Sequence, residues 1–242
     1  MNKKFFWGFS LAEILIAVAI VGVIAAITIP GVITNYNEKV LVTQLQKNYI
    51  ELQEMLLTLK TENYQKGLYG SILNKKNNQT VTYTAGSFLR NYYKITDDCS
   101  TDTQPCFAAK YRALNTSTDT DFACSGYSVT VASGAAICII PAEIKEEEVT
   151  DDTGATSTKE VKNPAVVYID VNGIEAPNIG GRDMFTFNIY EDFTIDEIDP
   201  AGADLTTLET EREELFNDNC LSSSVGKGCF SKILNDNWEF NY

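Results

Sequence analysis

A chain of 242 residues with 33 acidic and 19 basic side chains carries a formal charge of -14, a balance that repels phosphate backbones and excludes a nucleic-acid surface built on bulk charge. Histidine is absent, which removes the commonest general base and the commonest zinc ligand and makes ordinary hydrolase chemistry a poor fit. The length asks for one sizeable domain with an accessory element.

From the N-terminus, residues Phe9 to Ile29 are apolar except for Ser10, Glu13 and Thr28. At about 1.5 Å rise per residue a helix over this stretch just crosses a hydrocarbon core of about 30 Å. Lys3 and Lys4 precede it with no acidic residue among the first eight, so the positive-inside bias places the N-terminus in the cytoplasm and everything after Pro30 on the far side. A secretory signal peptide is the competing reading. Its apolar run ends after about 7 to 15 residues at a small-residue site, whereas this run continues further and carries a carboxylate near its start. That carboxylate, Glu13, is the informative residue, because an acid at membrane depth is costly and needs a partner.

The stretch Gly8, Phe9, Ser10, Leu11, Ala12, Glu13, followed by Ile14 to Gly22, resembles the processing site of type IV prepilins and type II secretion pseudopilins. The resemblance covers about the first 30 residues. It implies a leader over residues 1–8, cut after Gly8 by a prepilin peptidase with methylation of the new terminus at Phe9. Glu13 then stands where the family keeps a glutamate, and Gly22 and Pro30 stand where pilins place a helix-loosening glycine and a proline. The implied partners are copies of the chain, other pilins or pseudopilins, the peptidase, an assembly platform with its secretion machinery, and the inner membrane; no nucleic acid is expected. Removal of Met1 to Gly8 deletes two lysines and takes the formal charge from -14 to -16. In physical terms, the α-amino group freed on Phe9 is a natural counter-charge for a carboxylate kept from water. If the two meet between neighbouring subunits, Glu13 sets the axial register of assembly.

Pro30 lacks a backbone donor, so a kink or local melt is expected near Ala26 to Gly31 without ending the helix. Beyond it Val42, Leu45, Tyr49, Leu52, Leu56 and Leu59 fall at alternating steps of three and four, one apolar stripe on a helix. The prediction is therefore a long helix from about Phe9 to about Thr61: residues 9–30 in the membrane or a filament core, residues 31–62 an amphipathic continuation. A free coiled-coil stalk is the alternative for the second part, weakened because the heptads stop after about three.

From residue 63 to 242 the pattern changes to short segments with turn punctuation, read as an exported globular domain. Ala85 to Tyr93 reads as a short helix, and Tyr127 to Ala132 with Ala135 to Ile140 as two strands joined across Ser133 and Gly134. Residues 142–163 are polar, with almost no large apolar side chain, and read as an exposed, mobile insertion. Strands are expected at Ala165 to Val171 and Met184 to Tyr190, helices at Asp204 to Phe216 and Phe230 to Asn235, and a closing aromatic strand through Trp238, Phe240 and Tyr242. The expected fold class is α+β: a long N-terminal helix, its first half transmembrane, packed on a small antiparallel sheet domain with disulfide-bonded loops.

Cys99, Cys106, Cys124, Cys138, Cys220 and Cys229 all follow the apolar segment, which points to an oxidising compartment. None shows the spacing of a zinc knuckle or redox dithiol. Six cysteines allow about 15 pairings; nearest neighbours, Cys99 with Cys106, Cys124 with Cys138 and Cys220 with Cys229, are the working hypothesis. Asp170, Asn172 and Asp183 offer oxygens around a glycine-containing loop and so form a candidate calcium set. The dipeptide Asn172-Gly173 is equally a hairpin-turn signal. No cofactor is otherwise required. Adjacent carboxylates such as Asp97 with Asp98 or Asp151 with Asp152 read as solvated loop charges, and no nucleophile and base set emerges, so the chain is read as a non-enzyme. A membrane-tethered ligand or carbohydrate binder that never polymerises is the alternative function; it would keep residues 1–8 and need no Glu13.

Overall fold

A computed structural model describes residues 8–62, 67–76, 79–150 and 156–242. The chain divides into two units with the boundary between Val40 and Leu41, inside a single helix. In chain order the elements are α1 (Leu11–Glu62), β1 (Asn74–Lys75), α2 (Ser87–Tyr92), β2 (Ile95–Ser100), β3 (Lys110–Arg112), β4 (Asp119–Asp121), β5 (Tyr127–Val131), β6 (Ala136–Ile140), β7 (Ala142–Thr150), β8 (Thr156–Asn163), β9 (Ala165–Asp170), β10 (Met184–Ile189), β11 (Ile195–Asp196), α3 (Leu205–Asn219) and α4 (Cys229–Asn235). The fold is α+β, as expected.

From Leu11 to Ile33 α1 carries apolar residues on every side, and the large ones are exposed: Leu11 is 81% exposed and Ile20 54%. A helix apolar all round belongs in lipid or in a packed assembly, and this one is long and apolar enough to cross a membrane. The helix runs without interruption through Ala26 to Gly31, so the local melt expected at Pro30 is absent. Proline removes only the N–H that would donate to the Ala26 carbonyl, and the carbonyl of Pro30 itself accepts the Thr34 hydroxyl at 3.1 Å.

In the second unit the same helix is amphipathic. Val42, Leu45, Leu52, Leu56 and Leu59 are buried, and Tyr49 packs beside them on Phe230 and Trp238 with ring centroids 5.7 and 5.1 Å away. Full burial of such a side chain contributes roughly 1.5 to 3 kcal/mol. The stripe joins one face of a six-stranded antiparallel sheet, order β11-β10-β9-β6-β5-β2, whose inward residues include Val129, Ile137, Ile139, Val167, Ile169 and Phe187. Asn48, in the stripe but polar, is buried; its side-chain oxygen accepts the Ser133 hydroxyl at 3.1 Å and its amide nitrogen donates to the Gln44 carbonyl at 2.8 Å. That pair ties the helix to the β5–β6 turn.

The opposite face of the sheet holds a smaller core in which Phe107, Tyr111, Phe122 and Met184 surround two disulfides, Cys99 to Cys106 and Cys124 to Cys138. The third, Cys220 to Cys229, joins the end of α3 to the start of α4. The three bridges span 7, 14 and 9 residues of sequence.

Three expectations are corrected. Within the stretch 142–163, read above as an insertion unable to build structure, Ala142–Thr150 and Thr156–Asn163 pair as strands β7 and β8; their register runs from Glu143 opposite Asn163 to Thr150 opposite Thr156, and β1 pairs with the base in parallel, Asn74 opposite Ala142. Backbone hydrogen bonds build such a ribbon without a core of its own, and Lys162 anchors it to Glu191 at 3.0 Å. The six-stranded sheet itself is antiparallel throughout, as expected, and this parallel pair lies outside it. The closing residues form no strand, because Asn237 and Trp238 take φ of 52° and 65°, left-handed values that cannot continue a ladder. The aromatic rings instead pack on separate parts of the domain, Phe240 on Phe185 and Tyr242 on Phe216, and edge-on against each other. Finally, Asn172-Gly173 is no two-residue hairpin, since residues 171–183 separate β9 from β10.

Candidate functional site

Glu13 lies in the first turn of α1, preceded by Gly8, Phe9 and Ser10 in non-helical backbone. Phe9 is 83% exposed. The Glu13 carboxylate accepts the Ser10 backbone N–H through Oε2 at 2.8 Å, and the Ser10 hydroxyl accepts the Glu13 N–H at 3.3 Å. Glu13 is therefore the one acid between Leu11 and Ile33, served by the amide of Ser10 just ahead of the helix. Gly22 and Gly31 have no heavy atom within 4 Å of where a Cβ would stand, so packing inside the chain does not demand glycine at either position.

The expected metal residues converge on the loop after β9. Asp170 is fully buried; Oδ2 accepts the Tyr111 hydroxyl at 2.5 Å and Oδ1 the Asn172 N–H at 3.2 Å. Burial, with the Asp183 charge second, pushes its carboxyl up to about 8. Burial followed by the charge of Asp170 also raises the Tyr111 hydroxyl. Asp183, equally buried, accepts the N–H groups of Asn178 at 2.6 Å and Ile179 at 2.7 Å, and burial lifts its carboxyl to about 6. Asn172 donates to the carbonyls of Glu175 and Ala176 at 3.0 and 3.1 Å. Each of the four carboxylate oxygens accepts a protein donor, Asn172 Oδ1 and Asn178 Oδ1 are buried without one, and among the described residues no group of three or more acidic, Cys or His side chains is placed to hold a metal. A hard cation takes about six to eight oxygens, more than the side chains of Asp170, Asn172 and Asp183 supply between them, and backbone donors of the same loop already bond to both carboxylates. Gly181 in that loop has φ of 81°, and a Cβ there would stand 2.5 Å from the Cys229 sulfur.

A cleft of about 260 Å³ opens beside the sheet, lined in part by Tyr168, Asn188, Glu197 and Lys227. Its carboxylate is not free: Glu197 accepts the N–H of Gly228 at 2.5 Å and of Ser231 at 2.7 Å, fastening β11 to the start of α4. Burial raises this carboxyl to about 7 against the pull of those two amides. Of the acidic pairs, Asp98 accepts from Arg90 at 3.1 Å and from the Tyr127 hydroxyl at 2.6 Å, a structural link between α2, β2 and β5; Asp151 and Asp152 lie outside the described residues. Lys3 and Lys4 also lie outside them.

Comparison with family models, curated proteins and solved structures finds no match. The functional reading therefore rests on residues and geometry.

Sequence reasoning missed Ser10, Asn48, Tyr111 and Glu197. Ser10 carried a signal, since Ser followed three residues later by Glu ahead of an apolar run is the capping-box signature. Asn48 carried one as well, being polar at a stripe position between Leu45 and Leu52. Tyr111 and Glu197 had none, because their partners lie 59 and 31 or more residues away in sequence.

Proposed function

We propose that the chain is a structural subunit of a type IV pilus-like or type II secretion pseudopilus filament. A prepilin peptidase cuts it after Gly8, Phe9 becomes the methylated terminus, and polymerisation proceeds through α1 with Glu13 setting register. The observation that carries this is one carboxylate in the apolar, uncovered part of α1 from Leu11 to Ile33, five residues beyond a glycine that follows a basic start. Such a helix requires either lipid or like helices around it, and the acid requires a positive partner in both. Gly22, free of contacts within the chain, then leaves a gap for close approach of a neighbouring helix. The positive-inside bias of Lys3 and Lys4 supports a cytoplasmic N-terminus with the disulfide-bonded domain across the inner membrane.

N-terminal sequencing and intact mass of native material test the reading. A start at Phe9, carrying a methyl group, is expected; a start at Met1 overturns it and leaves a membrane-tethered domain. Glu13→Ala is expected to insert normally but to abolish or misregister filaments, scored by electron microscopy of sheared cell-surface or overexpressed material.

A further inference from the structure

We propose that Ser10 is the positioning residue for Glu13, fixing one carboxylate oxygen on its own helix so that the other faces a neighbouring subunit's terminal amine. The inference rests on the filament reading above and deepens it.

The two side chains form a reciprocal pair at the start of α1. Ser10 Oγ accepts the Glu13 N–H, and Glu13 Oε2 accepts the Ser10 N–H. Both amides are among those a helix leaves without internal partners, so the pair also fixes where the helix begins. The tie to the Ser10 amide runs through Oε2. A free glutamate samples several rotamers, each aiming its charge at a different height along the helix. Once Oε2 is tied to the N-cap amide, far fewer rotamers remain and the charge is held at one height along the helix. An acceptor that is aimed before its partner arrives forms the ion pair at lower entropic cost and in one stagger. In lipid the same tie supplies the unassembled subunit with a partial partner for its acid, at the end of the helix where the backbone dipole favours negative charge.

A plain helix cap would make the same two bonds, so the test must separate aiming from capping. Mature chain is assembled from wild type, Ser10→Ala and Ser10→Thr, and the filaments are treated with a lipid-soluble carbodiimide, which joins a carboxylate to an amine only in direct contact. The readout is the Glu13-to-Phe9 intersubunit cross-link per assembled subunit, quantified by mass spectrometry. Loss of an N-cap hydroxyl corresponds to about a fivefold change in equilibrium, so Ser10→Ala is expected to lower the cross-link per subunit about fivefold. Ser10→Thr restores it, and membrane content and cleavage stay at the wild-type level. Ser10→Ala filaments with a wild-type cross-link yield overturn the proposal, as does failure of Ser10→Thr to restore it. If Ser10→Ala forms no filaments alone, a tagged copy is mixed with excess wild type: entry with a normal cross-link overturns the proposal, and exclusion while tagged Ser10→Thr enters supports it. Wild-type filaments lacking any such cross-link would be a different failure, that of the Glu13 pairing itself.

Discussion

The two halves of α1 share a backbone and differ in what surrounds them. From Leu11 to Ile33 apolar residues occupy every side of the helix, and those side chains are about half to four-fifths exposed: Ile14 at 48%, Ile33 at 52%, Leu11 at 81%. From Val42 to Leu59 they narrow to one stripe that is almost completely covered, while Leu57, one position from buried Leu56, is 61% exposed. The first half is written for a solvent without water, in which no face needs to be polar; the second is written for a boundary between a core and water. What the helix packs against is therefore encoded in the angular spread of its apolar residues, since its propensity to be helical is common to both halves.

Substitutions that exchange the two environments test that contrast. The largest effect is expected from Leu56→Ala, which should cost the domain about 2 to 5 kcal/mol in urea unfolding followed by near-ultraviolet circular dichroism, while Leu57→Ala stays within about 0.5 kcal/mol. Equal losses at the two positions would break the comparison. In the other half, Ile20→Arg should leave that unfolding curve unchanged but cost about 2.5 to 3.5 kcal/mol of membrane insertion, read as a shift of the chain into the carbonate-soluble fraction. Within the domain, Tyr111→Phe removes the hydroxyl donated to buried Asp170 and is expected to cost about 1 to 3 kcal/mol, with no change in insertion.

The smallest is a change of slope. The folded Glu197 carboxyl lies at about 7, above its usual 4.5. It holds a proton that the unfolded chain releases, so the stability it contributes is complete below the unfolded value and is lost as pH rises through about 7. Asp196 is its acidic neighbour, Lys227 shares its cleft, and the Tyr190 hydroxyl donates to its backbone carbonyl at 3.0 Å. Glu197→Gln should flatten the fall in melting temperature between pH 5 and pH 8 in a full titration series. An unchanged slope would show that the group is ionised throughout.

The contrast within α1 also explains what could be read in advance. The apolar run, the stripe, the β5–β6 hairpin and the helices α3 and α4 are local patterns, and each stands within a few residues of its expected bounds. The sequence-local cysteine pairs meet as neighbours. Illegible were features whose partner is remote. Strands β2, β3 and β4 are too short or too polar to alternate visibly, and β1 is extended only because β7 lies beside it. The polar β7–β8 ribbon defeated a reading that equated structure with apolar content. At the candidate site the carboxylates Asp170 and Asp183 were found, but sequence spacing could not show that backbone amides and Tyr111 had already claimed their oxygens. The Ser10 and Glu13 pair was legible and was passed over in favour of the charge alone.

The three short disulfide spans have a consequence for manufacture. A chain delivered N-terminus first presents both cysteines of each bridge within moments of one another, in the order Cys99 with Cys106, Cys124 with Cys138, then Cys220 with Cys229. No bridge waits for a distant part of the polypeptide, and a mispaired link would have to form across a longer interval than the correct one. Oxidation of this domain can keep pace with its arrival.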